Sequence, residues 1–443
     1  MSLTALFYVL VYFFGLFKAL LGKPIFGLYA YFFAFYLHAP SRWWGKGLPD
    51  VRWSLLAAAV TLVAIFLRPR SEKKIWFNFV ENKLFFMFVI YIVFQTIWAL
   101  NLDIHLEYVF LVLKFSILIF IIQNSIRSEK DLVGVLVVNL LGVCYFTFLG
   151  MTSHSGGRLE GIGTSGLESA NQLGQHMATV LTFSAYLLLC DFGKKKYLLI
   201  LPIVIALNGV LLTESRGVIL SLAVVGLCSL LVVPAMAKKQ YAFYAIMGSL
   251  AGVVLIGPQI IERFDSMRGL GESGEQDSSA ASRMVIINAQ IDMFLERPLL
   301  GHGHKGTVLL SNQFIPDKYL TTSGGGQARR ASHNFLFALL VDHGLIGTSL
   351  YLMIIFSCTR KVWHIHRSSK DNDDSRVLVV VIIGLGLALV CFMVAGMGSN
   401  NKKLEIDIWL YAMIALVYGK IVQSRLERKF GASSKSQEGI ENS

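Results

Sequence analysis

A few arginines and histidines at the ends of long apolar runs are the residues of this 443-residue chain best suited to chemistry. Arg216 lies in Thr213-Glu214-Ser215-Arg216-Gly217, a short polar hairpin between two apolar stretches. A guanidinium inside a bilayer costs roughly 3 kcal/mol at mid-span, so a cation there needs a partner, a wet cavity or lipid phosphates. It either snorkels to headgroups or serves as a permanently charged fork for phosphate oxygens. Arg283, next to Ser282, opens a helical run whose N-terminal N–H groups would add to an anion site; the plainer reading is a solvated loop charge. His333, beside Asn334, opens a later apolar run. Its imidazole titrates near neutral pH and is either a proton acceptor or a structural residue at a helix end. Arg158 and Asn171 are polar residues of the 151–171 connection, and Asn171 stands where a helix cap is expected.

Other patterns point to less. His302 and His304 form a His-x-His pattern, but no carboxylate or cysteine cluster completes a site, so no metal is expected there. Gly301, Gly303 and Gly306 have neither a preceding strand nor a following Lys-Ser/Thr, which leaves them a backbone-turning role. No Ser-His-Asp order, Walker motif or nucleic-acid module stands out, and no cofactor is expected.

The elements that must position these residues are membrane helices. Hydrophobic residues make up 55% of the chain and charged residues 15%, with a mean hydropathy of +0.60. In hydrocarbon each backbone N–H and C=O is satisfied within its own segment, so the apolar runs form helices, and the lack of period-2 alternation excludes a β-barrel. Candidate spans lie near 3–21, 25–39, 51–67, 84–100, 105–122, 132–150, 172–191, 197–212, 217–236, 241–258, 333–358, 376–398 and 404–420. Treating one of the first two as re-entrant or interfacial leaves about twelve, with both ends inside. The fold class expected is therefore all-α, a polytopic integral membrane protein. The N-terminal run has no small-residue cleavage site and reads as a retained helix. The five cysteines lie in or beside apolar runs, as small core residues.

The net charge of +12 is distributed connection by connection and so reports topology, not nucleic-acid binding. Arg68 to Lys83, Arg127 with Lys130, Lys194 to Lys196, Lys238 with Lys239, Arg360 to Lys370 and Lys420 to Lys429 fall on alternate connections, which are cytoplasmic by the positive-inside rule. The others, 40–50, 101–104, 151–171, 213–216, 259–332 and 399–403, are external. In the long 259–332 loop, Met284, Ile287, Ile291 and Leu295 recur at helical spacing, as an amphipathic helix on or near the membrane surface. Four regions follow: 1–199, 200–355 holding the loop, 356–430, and a polar, disordered tail at 431–443.

Three segments resemble the O-antigen ligase and polymerase superfamily of bacterial membrane proteins. They are Thr213-x-Ser215-Arg216-Gly217, the Arg283 helix running into Pro298-Leu299-Leu300-Gly301-x-Gly303, and Ser332-His333-Asn334-Phe335-Leu336 followed by Gly344-Leu345-Ile346-Gly347. Arg158 to Asn171 resembles a further family element, with Ala170 where a Pro is usual. The run from Tyr29 to Tyr36 and the Ser41-Arg42-Trp43-Trp44 loop resemble the subset of O-glycosylation ligases associated with exosortase systems.

The resemblance implies a metal-independent, inverting glycosyltransferase of the GT-C type in the bacterial inner membrane, with its site facing the periplasm. The donor would be glycan on undecaprenyl diphosphate and the acceptor a lipid A core sugar, or else a protein hydroxyl or the growing glycan. Arg216 and Arg283 would hold the diphosphate and His333 would act as base, with Arg158 and Asn334 as further substrate contacts. Membrane lipids are the other expected partners. A transporter would instead need paired charges at mid-span and internal repeats; Lys18 and Lys114 are intramembrane cations without matching acids, and no repeat is seen.

Overall fold

The computed structural model describes residues 2–69, 76–153, 158–162, 164, 166–255, 277–321, 329–332, 334–369, 374–399 and 405–441. They form fifteen α-helices: α1 (Leu3–Leu20), α2 (Pro24–Leu37), α3 (Trp53–Phe66), α4 (Val80–Gln95), α5 (Leu102–Ser125), α6 (Glu129–Ser153), α7 (Ala170–Tyr186), α8 (Ile200–Leu212), α9 (Arg216–Val232), α10 (Lys238–Leu255), α11 (Asp277–Glu296), α12 (Gly306–Phe314), α13 (Phe335–Ser368), α14 (Arg376–Gly396) and α15 (Ile406–Glu441). Each candidate span falls on one of them. Among the described residues the β structure amounts to one isolated bridge, Thr321 with Arg329. By length and composition, seven helices are suited to cross a bilayer: α1, α5, α6, α8 with its preceding turn from Gly193, α13, α14 and α15. The protein is an all-α, multi-pass membrane protein.

α14 reads RVLVVVIIGLGLALVCFMVAG, apolar on every side, and lies at the centre of the bundle against α7, α9 and α15. Small residues let neighbouring helices approach it, as where Gly384 meets the Tyr186 side chain.

The charge parity of the connections is reflected in what touches what. Lys361 pairs with Glu81, Arg425 and Arg428 pair with Asp374, Arg376 donates to Gln240 Oε1 and Leu189 O, and Lys420 donates to Arg127 O, all between connections assigned to the cytoplasm. Between external ones, Arg42 donates to Ile162 O at 2.7 Å and the Leu100 N–H to His302 O at 3.0 Å. The first two helices also run between these ends. The Gly22 carbonyl at their junction accepts from Arg68, while Tyr8 of α1 packs its ring 5.3 Å from Trp44. The start of the chain therefore sits at the end that holds the 40–50 connection.

α15 continues through the described part of the tail, as far as Glu441. It contains no proline, and adding turns to an existing helix avoids the cost of a new nucleus. In α11 the stripe picked out from sequence faces outward: Met284 is 59% exposed and Leu295 63%. The buried face is Ile286, Ala289, Gln290 and Met293, packed on Leu310, Ile315 and Val341. α11 is thus apolar on two faces, one against the protein and one available to the membrane surface.

Candidate active site

The hairpin bearing Arg216 is held from behind by polar residues of the 151–171 connection. Ser169 and Gln172 form the capping box of α7, which leaves Asn171 for another task. Its Oδ1 accepts from Arg158 Nη2 at 2.7 Å and from Ser215 Oγ at 2.9 Å. Arg158 Nε reaches Thr213 O at 3.2 Å, and the Leu159 N–H donates to Leu212 O at 2.8 Å. Arg158 is therefore a brace behind the hairpin. Glu214 takes a left-handed φ of 48° to turn the chain. Arg216 then starts α9, exposed; Ser215 makes no side-chain cap because its hydroxyl is committed to Asn171. The first N–H groups of α9 and the Arg216 guanidinium thus share one helix terminus, an anion-attracting combination.

Arg283 and Asn334 come together. With Ile286, Ile287, Gln290, Met397 and Gly398 they line a small cavity of about 50 Å³. Asn334 caps α13, its Oδ1 accepting from the Leu336 and Phe337 N–H groups at 3.0 and 3.3 Å, so the amide nitrogen is the part left for a ligand. Gly217, which follows Arg216 at the start of α9, lies beside the same end of α14: a side chain there would come 4.0 Å from Ala395 O. His333 lies outside the described residues; its neighbours do not. Ser332 Oγ donates to Asn334 O at 2.7 Å and accepts from Gln290 Nε2 at 3.0 Å, while the same amide also meets Thr307 Oγ1 at 3.3 Å. Gln290 is a residue that sequence reasoning missed, because a single glutamine in an amphipathic run forms no motif. It is fully buried and ties α11, α12 and the start of α13 together.

The glycines after Pro298 dock on a break in α13. Gly344 (φ 61°, ψ −168°) interrupts the helix, and the freed backbone groups are taken up by the loop: Leu345 N–H to Pro298 O at 2.8 Å, Gly303 N–H to Asp342 O at 2.8 Å, His302 N–H to Val341 O at 3.0 Å. Gln95 and Tyr91 of α4 close the joint by donating to Leu300 O. This docking separates the His-x-His pair. His302 Nε2 donates to Met293 O at 2.7 Å, whereas His304 meets Asp342 and His343. The carboxylate absent from the neighbouring sequence is supplied by α13, as Asp342. Its signal was readable as two consecutive ionisable residues within an apolar run.

Burial, helped by Arg297, holds His302 below the ordinary imidazole pKa against the opposing pull of its bond to Met293 O. A base with a depressed folded pKa stabilises above its unfolded value and loses that contribution as pH falls. We therefore expect unfolding temperature in detergent to drop below about pH 6.5. His302→Gln should flatten that dependence; an unchanged slope would assign the pH effect to another group.

Residues 201–352, roughly a third of the chain, match the family model described as O-Antigen ligase. The matched segment includes Arg216, Arg283, His333 and Asn334, while Arg158 falls before it. No curated protein matches the chain. By the motifs it carries and the segment matched, residues 201–352 of this multi-pass membrane protein are similar to the O-antigen ligase family.

Proposed function

We propose that the protein transfers glycan from undecaprenyl diphosphate to a lipid A core sugar on the periplasmic side of the bacterial inner membrane. The observation that carries this reading is that Arg283 and Asn334 line one cavity with Met397 and Gly398, at the end of α14 that Gly217, next to Arg216, also borders. An anomeric carbon on diphosphate already has a good leaving group, so the enzyme's main task is to hold the diphosphate and stabilise the charge growing on it. The acceptor oxygen attacks the anomeric carbon as the bond to diphosphate breaks, its proton passes to His333, and in-line attack inverts the centre. The hydroxyl becomes acidic only as the new bond forms, so an imidazole of near-neutral pKa suffices. The 259–332 loop, with α11 over the site, excludes water that would otherwise compete as acceptor. We assign the reaction to residues 200–355, with 1–199 and 356–430 as its helical support and the GT-C arrangement as its frame.

His333→Ala should lower transfer by about 10²-fold or more at unchanged membrane level. Near wild-type transfer would remove the base assignment. The acceptor is tested by deleting the gene in its host and comparing the lipopolysaccharide ladder with glycan staining of envelope proteins. Loss of the ladder, with bare lipid A core and accumulating lipid-linked polymer, supports the ligase reading. An intact ladder with loss of protein-attached glycan would make the acceptor a protein hydroxyl, the reading favoured by the aromatic N-terminal segments. Core carrying a single repeat would indicate polymerisation.

A further inference from the structure

We propose that His304, Asp342 and His343 form a structural binding site for one divalent transition-metal ion of the zinc class, which fastens the Gly301–Gly306 loop to the break in α13. All three are buried, and each offers a ligand atom within 4.8 Å of the others. Ligands around a tetrahedral zinc lie about 3.3 Å apart, so shifts of up to about 1 Å per side chain close the site.

The surroundings orient these groups as an outer shell does. Gln95 Nε2 is committed to Leu300 O at 2.7 Å and Asp342 O at 2.8 Å, which turns its Oε1 toward His343. His343 Nδ1 accordingly donates to that oxygen at 2.8 Å, placing the ring's lone pair on Nε2, the tautomer of a metal-ligating histidine. Asp342 is steadied by the Lys305 N–H at 2.8 Å and the Thr307 N–H at 3.4 Å, and its Oδ2 stands 3.8 Å from His304 Nδ1. The His304 backbone is fixed in turn, its N–H donating to His105 Nδ1 at 3.1 Å. Tyr108 stacks on both imidazoles, with centroids 4.1 Å from His304 and 5.4 Å from His343, and shields the trio.

Two imidazoles and one carboxylate are a donor set that zinc-class ions favour, and they leave a fourth position for water. A cavity of about 670 Å³ reaches His304 and Tyr108 and supplies a route for ion and water. His343 lies nine residues beyond Asn334, about 14 Å along α13, so the ion braces the roof of the site and takes no part in transfer.

The test uses the full chain, tag removed, in detergent and stripped with chelator, then titrated with Co²⁺. One equivalent should bind with the visible bands of a low-coordinate site and raise the unfolding temperature. His302→Gln should bind as the wild type does, since His302 faces Met293, whereas His343→Gln and Asp342→Asn should weaken binding by at least about 100-fold. No cobalt bound by the wild type overturns the proposal, as does equal weakening by His302→Gln and His343→Gln. Should the ligand variants fail to fold, X-ray absorption of the cobalt-loaded wild type decides. A shell with two imidazoles and a carboxylate oxygen supports the site, and one dominated by water, an adventitious ion only, overturns it.

Discussion

Arg216→Ala and Arg283→Ala should each lower glycan transfer by about 10²–10³-fold, the loss seen when one group that stabilises a growing negative charge is removed. The two residues stand on different elements, α9 and α11, so neither replaces the other. The charge they meet is larger in the transition state than in the bound donor, so the loss should fall on kcat more than on KM. Arg216→Lys and Arg283→Lys keep the charge but lose the planar fork, and should retain an intermediate activity, about tenfold below wild type. The measurement is transfer from purified lipid-linked donor in proteoliposomes, normalised to membrane level. Full activity in all four variants would remove the diphosphate clamp and leave the cations as lipid anchors.

Gly344→Ala should prevent the protein from accumulating in the membrane. The φ of 61° with ψ of −168° belongs to a region open essentially to glycine alone. A side chain there would also run into the Leu299 carbonyl and come within 2.7 Å of the Gly301 nitrogen, both backbone atoms that cannot rotate away. Gly301 is the other half of the joint: at φ 63°, its Cβ would come within 2.6 Å of Asp342 O. Backbone strain and overlap together should cost about 3 kcal/mol or more, against a total stability of roughly 5–15 kcal/mol. Gly226→Ala is the control, since nothing lies within 4 Å of a side chain there and alanine favours the helix. Membrane yield and unfolding temperature in detergent report the difference. If Gly344→Ala and Gly226→Ala were equally stable, the loop would not depend on the break in α13.

Much of the architecture was legible in the sequence because a bilayer imposes its rules one segment at a time. A run such as that of α14 forms a helix wherever it lies, since no other backbone conformation satisfies its N–H and C=O groups in hydrocarbon. Charge parity is likewise additive over connections, which is why Lys361 and Glu81, or Arg425 and Asp374, were assigned to one side before their contact was seen. The order of the Arg216, Arg283 and His333 segments was also a property of the linear chain.

Only the tertiary structure decided which faces are inside. Lipid and protein interior are both apolar, so hydropathy does not distinguish the buried Ile286 and Met293 of α11 from the outward Met284 and Leu295. Nor do local rules specify partners far apart in sequence. Asn171 looked like a cap until Ser169 took that role and Arg158 and Ser215 claimed the amide. His302 and His304 looked like a pair until the break at Gly344 turned one toward Met293 and gave the other Asp342 and His343. The sequence by itself determined the helices and the order of the motifs, because these follow from interactions within a segment or from the linear chain. The grouping of Arg283 with Asn334 and that of His304 with Asp342 and His343 arise from packing between segments, where one apolar surface suits lipid and protein alike and polar contacts alone choose the partner.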